Sequence, residues 1–135
     1  MKPMKPVTNT EIAYRVFDVI YKHTGAGPFD GGCVVYAEAL KAVFGGVIVS
    51  LIKSNDAADH AAVLINDTVY DYEGGLPKDQ FIDRFNRHEM AQVIGIRTFR
   101  ESDLCEAPRN DKAVDELVVI FKQWHGSLTL PYSVN

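Results

Sequence analysis

Gly31-Gly32-Cys33, opening the apolar segment VVYAEALKAVF, sets a thiol at the start of a helix pattern. Backbone N–H groups and the helix dipole favour a thiolate there and pull the thiol below its ordinary pKa of about 8.5. The two glycines leave room for a substrate backbone to approach the sulfur. His60 begins a strand-like run further along, and Asp71 and Glu73 follow it. Thiol, imidazole and carboxylate in this order supply a nucleophile, the base that moves its proton, and the acid that orients the base.

A hairpin must bring the last two together. His60 to Ile65 and Thr68 to Tyr72 read as strands around Asn66-Asp67, two residues tolerant of turn conformations. With those two as the turn, Ile65 pairs with Thr68, Ala62 faces Asp71 and His60 faces Glu73. Alternation then puts His60, Ala62, Asp71 and Glu73 on one face. Either acid can hold the imidazole in its working tautomer. Asp71 is preferred, because it sits inside the strand whereas Glu73 borders Gly74-Gly75. A slip of one residue in the turn would move both acids to the other face. Acyl chemistry also needs oxyanion donors. The Cys33 N–H is one, since the first N–H groups of a helix lack internal partners, and the amides of Gly31 and Gly32 are further candidates. Asp30 is read as a helix cap.

Helices flank these strands. Thr8 and Glu11 have capping-box spacing, and Ile12, Val16, Val19 and Ile20 recur at helical period until Gly25 and Gly27-Pro28 stop the pattern. The Cys33 helix buries Val34, Ala37, Leu40, Val43 and Phe44 and ends at Gly45-Gly46. Val47 to Lys53 is a strand, Gly74 to Pro77 breaks the pattern, Asp79 to His88 is a short helix, and Gln92 to Phe99 is another strand. A last helix runs from about Asp111 to Trp124 and ends at Gly126, leaving SLTLPYSVN as a tail or short edge strand. The expectation is one α+β domain over residues 1–135, with an antiparallel sheet.

The composition narrows the partners. The 135 residues carry a formal charge of −4 and no basic stretch interleaved with aromatics, which argues against nucleic acid. No apolar run reaches the roughly 18 residues that span a bilayer, and MKPMKPVTNTE lacks the apolar core of a secretion signal. Cys33 and Cys105 do not make a disulfide framework, so free thiols in a reducing, cytoplasmic setting are expected. By type, Cys33, His60 and Asp71 would also suit zinc. No CxxC or HxxxH spacing accompanies them, and neither metal nor cofactor is expected.

GGCVVYAEAL and DHAAVLINDTVYDYEGG together resemble the papain-like superfamily of cysteine hydrolases and transferases, in particular its compact NlpC/P60-like and transglutaminase-like branches. The resemblance covers roughly residues 28–75 and implies a helix-start cysteine packed on a small antiparallel sheet. It also implies that Cys33 attacks an acyl carbon, His60 moves the proton and Asp71 orients His60. The substrate would be a peptide, a protein or a small amide. The chain departs from the family's common pattern in carrying Val34 where an aromatic usually follows the cysteine.

Taken singly, each residue has a plainer reading. A cysteine in an apolar helix is ordinarily a small core residue, His60 a half-exposed strand edge, and Asp71 a polar group on a solvent face. Cys105, in SDLCEAP, has no charge logic around it and reads as structural. His23, His88 and His125 fall near helix C-termini, where the dipole favours them. The weight lies in the combination. The competing functional reading is an idle papain-like domain that binds another protein, and contact between the Cys33 sulfur and the His60 ring separates the two.

Overall fold

The computed structural model describes residues 10–29 and 31–127. The elements run α1 (Thr10–Thr24), α2 (Cys33–Phe44), β1 (Val47–Ile52), β2 (Ala58–Ile65), β3 (Thr68–Asp71), β4 (Gly74–Pro77), α3 (Lys78–Glu89), β5 (Gly95–Thr98) and α4 (Asp111–Ser127). The strands form one sheet in the order β4-β3-β2-β1-β5. Every pairing in it is antiparallel, so the expected α+β class is the one observed.

Alternation along β2 feeds two cores. Ala61 and Val63 point to one face, where they pack with Val34, Ala37 and Leu40 of α2 and with Leu117 and Phe121 of α4. Ala62 points to the other, where Val49, Leu51 and Val69 meet Phe81 and Phe85 of α3. Side chains at successive strand positions leave opposite faces, so a strand covered on both sides reads as a nearly continuous apolar run. The four-residue spacing of Phe81 and Phe85 puts both on one side of α3.

A tight approach of α2 to α1 sits beside the candidate nucleophile. A Cβ on Gly32 would lie 2.4 Å from Ile20 Cγ2 and 2.8 Å from the Gly27 carbonyl oxygen. Gly32 therefore lets the start of α2 press against α1, rather than leaving space for a substrate. Gly32→Ala is expected to cost about 1–3 kcal/mol through overpacking. Urea unfolding reads this directly, and a midpoint at or above that of the parent protein would refute the close approach.

Several boundaries differ from the sequence expectations. Gly74 to Pro77 does not break the sheet but forms β4, pairing Tyr70 with Gly75 and Asp71 with Gly74. Gly74 has φ +104°, which a tight reversal out of β3 requires, and Pro77 is tolerated because β4 is an edge strand. Strand β5 is shorter than Gln92 to Phe99, because Asn86 takes the backbone N–H and C=O of Val93 for its own side chain. Helix α4 continues through Gly126 to Ser127, since an internal glycine costs only about 1 kcal/mol. The Thr8 cap, Asp30 and the residues after Ser127 lie outside the described residues. No described helix is long and apolar enough to cross a membrane.

Candidate active site

The hairpin register fixes the geometry. Ile65 pairs with Thr68 and Val63 with Tyr70, the pairing expected for a turn at Asn66-Asp67, and Asn66 adopts a left-handed φ of +57°. His60 and Asp71 are thereby brought side by side, and His60 Nε2 lies 2.9 Å from Asp71 Oδ2. Both are buried, at 1% and 3% exposure, and Cys33 at the start of α2 is 6% exposed. With Nε2 committed to Asp71, Nδ1 is the ring nitrogen left to serve the Cys33 thiol, whose pKa His60 lowers. The strand begins at Ala58 rather than His60, so His60 is held inside β2 instead of at its fraying end.

The electrostatics follow from this contact. Burial pushes the Cys33 thiol up. The His60 hydrogen bond and charge, with backbone hydrogen bonds from Ala61 and from Cys33 itself, outweigh that push and leave the thiol below its ordinary value. Burial lowers His60, but Asp71 and Cys33 outweigh it and raise the ring to about 10. The two shifts belong to one coupled pair, and both run in the direction that favours a thiolate beside an imidazolium.

Further residues support the pair. The His60 ring is stacked between Phe29 at 5.5 Å and Phe85 at 4.7 Å, with interplanar angles of 16° and 25°. Asp71 uses its second oxygen, Oδ1, to accept the Glu73 N–H at 2.8 Å. Arg84 Nη2 stands 3.6 Å from that same oxygen, donates to the Gly74 carbonyl, and lays its guanidinium over Phe81. Sequence reasoning missed Phe29, Arg84 and the stacking role of Phe85. A cation at position 84, between the apolar Phe81 and Phe85, was the one signal that could have found Arg84.

Three expectations are corrected. Glu73 does not face His60. The chain leaves β3 after Asp71, and the Glu73 carboxylate pairs instead with His88 Nδ1 at 2.7 Å. Gly32 is not an oxyanion donor, because its N–H is spent on the Gly27 carbonyl at 2.9 Å. Gly31, with φ +124°, does line the cavity beside Cys33. Cys105 is not a structural core residue but an exposed one on the wall of that cavity. Both cysteines are free.

The cavity has a volume of about 520 Å³. Cys33 and Gly31 form one side, residues 56–59 at the end of the β1–β2 loop and the start of β2 a second, and residues 102–108 of the β5–α4 loop a third. A buried, activated thiol thus opens onto a space that would hold a small acyl group or a peptide side chain. Among the described residues no group of three or more His, Cys, Asp or Glu is placed to hold a metal ion. No protein-family model, curated protein or solved structure matches the chain.

Proposed function

We propose that the chain is a papain-like cysteine hydrolase or acyl transferase in which Cys33, His60 and Asp71 form the triad. The observation that carries this reading is the buried His60–Asp71 hydrogen bond of 2.9 Å, on a ring that also lowers the pKa of the Cys33 thiol. The Cys33 thiolate adds to the acyl carbon of a peptide or small amide, and the carbonyl electrons move onto oxygen. The Cys33 backbone N–H, at the helix start, is positioned to stabilise that oxyanion. The tetrahedral species collapses as the His60 imidazolium donates its proton to the leaving amine, giving a thioester on Cys33. His60, now neutral, takes a proton from water or an acceptor amine, which adds to the thioester and releases Cys33 as thiolate. Asp71 holds Nε2 throughout, so that the nitrogen facing Cys33 does the proton transfer.

The electrostatic coupling of the Cys33 thiol to His60, which holds the thiol below its ordinary value, supports an acting site over an idle binding module. Two free thiols suit a reducing compartment, and a cytoplasmic setting belongs to the same proposal. The test is acylation by p-nitrophenyl acetate followed by peptide mass mapping. The expected result is an acetyl thioester on Cys33 that forms and turns over, and that is absent from Cys33→Ala. An adduct confined to Cys105, or none at all, overturns the reading.

A further inference from the structure

Two loops of the cavity wall are tied together by the Arg97 guanidinium, with Arg100 beside it. Arg97, on β5, donates from Nε to Asp56 Oδ1 at 3.0 Å and from Nη2 to the Asp56 carbonyl at 3.0 Å. It also donates from Nη1 to Asp103 Oδ2 at 2.6 Å and from Nη2 to Asp103 Oδ1 at 3.0 Å. Asp56 belongs to the β1–β2 loop and Asp103 to the β5–α4 loop, and both line the cavity. Asp103 is further fixed by Ser50 Oγ at 2.8 Å and the Arg100 N–H at 2.9 Å. Asp56 has no such anchor in the sheet. Apart from Arg97, its carboxylate is held by Arg100 Nη1 at 3.1 Å, from a side chain that is itself 59% exposed.

We propose that Arg97 is the positioning residue that sets the width of the Cys33 cavity, by fastening the β1–β2 loop to the anchored β5–α4 loop. This rests on the cysteine-transferase reading of the site and assigns Arg97 a part in choosing which acyl groups reach the thiol. A planar fork is needed for the task. A lysine ammonium, with three donors on one atom, cannot reproduce the four bonds the Arg97 guanidinium makes to Asp56 and Asp103, so lysine is not a substitute. Releasing the strut lowers the work of parting the walls and admits larger groups, while the Cys33–His60 contact is untouched.

The experiment compares two neutral reagents with the same reactive group, iodoacetamide and N-(1-pyrenyl)iodoacetamide, on proteins that all carry Cys105→Ser. The readout is the ratio of the bulky to the small alkylation rate at Cys33. Arg97→Met and Asp56→Ala are each expected to raise that ratio by at least about fivefold, the factor that one weak surface ion pair can supply. Arg97→Lys should match Arg97→Met rather than the parent. Asp56 is 53% exposed, so Asp56→Ala keeps the fold and decides the question if Arg97→Met does not fold. A ratio unchanged in Asp56→Ala overturns the proposal. A loss of stability without a change in ratio does so too, since a merely structural residue would behave that way. The failure of the enzyme reading is separate: it is a parent Cys33 no faster than a free thiol with iodoacetamide.

Discussion

At pH 6, iodoacetamide is expected to alkylate Cys33 in the native protein several times faster than in His60→Ala. An ordinary thiol with a pKa of about 8.5 is ionised in only about one molecule in three hundred at that pH. The native thiol, held down by His60, is ionised in a larger share of molecules. A low-pKa thiolate is also a poorer nucleophile, which returns part of the gain. Removing His60 leaves burial unopposed, so the Cys33 titration in the variant moves upward. Stability carries the same signature. A histidine raised to about 10 stabilises the fold in its protonated form, fully below its unfolded value of about 6.5 and not at all once pH has risen through 10. The unfolding midpoint of the native protein should therefore fall between about pH 8 and 10 by more than that of His60→Ala. Equal alkylation rates at pH 6 would remove the thiolate–imidazolium pair from the account.

Replacing Asp71 with asparagine should separate charge from shape. The amide is nearly isosteric and can still accept the Glu73 N–H, but it brings no negative charge to His60 Nε2. The His60 ring, raised to about 10 in the native protein, should then titrate at least roughly two units lower by NMR. Acyl transfer at neutral pH should fall on the order of a thousand- to ten-thousandfold, the scale seen when a triad acid is made neutral. Arg84, 3.6 Å from Asp71 Oδ1, would add to the loss by facing an uncharged neighbour. An Asp71→Asn protein with an unshifted His60 and full turnover would mean that the carboxylate only braces the hairpin.

The hairpin was legible because its information is local. Asn66 and Asp67 fix the turn, the turn fixes the register, and the register alone places Asp71 against His60. Glu73 was misplaced because the same register was extended past the point where the chain turns into β4, a strand of glycine and proline that no β-propensity announces. The cavity was not legible at all. Its far wall comes from a loop, SDLCEAP, with no periodicity, and its shape depends on an arginine bonded to residues 41 positions before it and 6 after it. Gly32 was noticed for its type but misread, because only the packed helices reveal that Ile20 stands where a side chain would go.

The two aromatic plates around His60 bear on the direction of traffic through the site. Held between Phe29 and Phe85, with Nε2 bound to Asp71, the imidazole has no room to turn over and offer its other nitrogen. A proton taken up through Nδ1 must leave by the same door. In the proposed reaction the departing amine and the incoming water or acceptor must then visit the same side of the thioester in turn, so the first has to clear the cavity before the second can arrive. Such a site exchanges one partner for another in strict succession and never holds both.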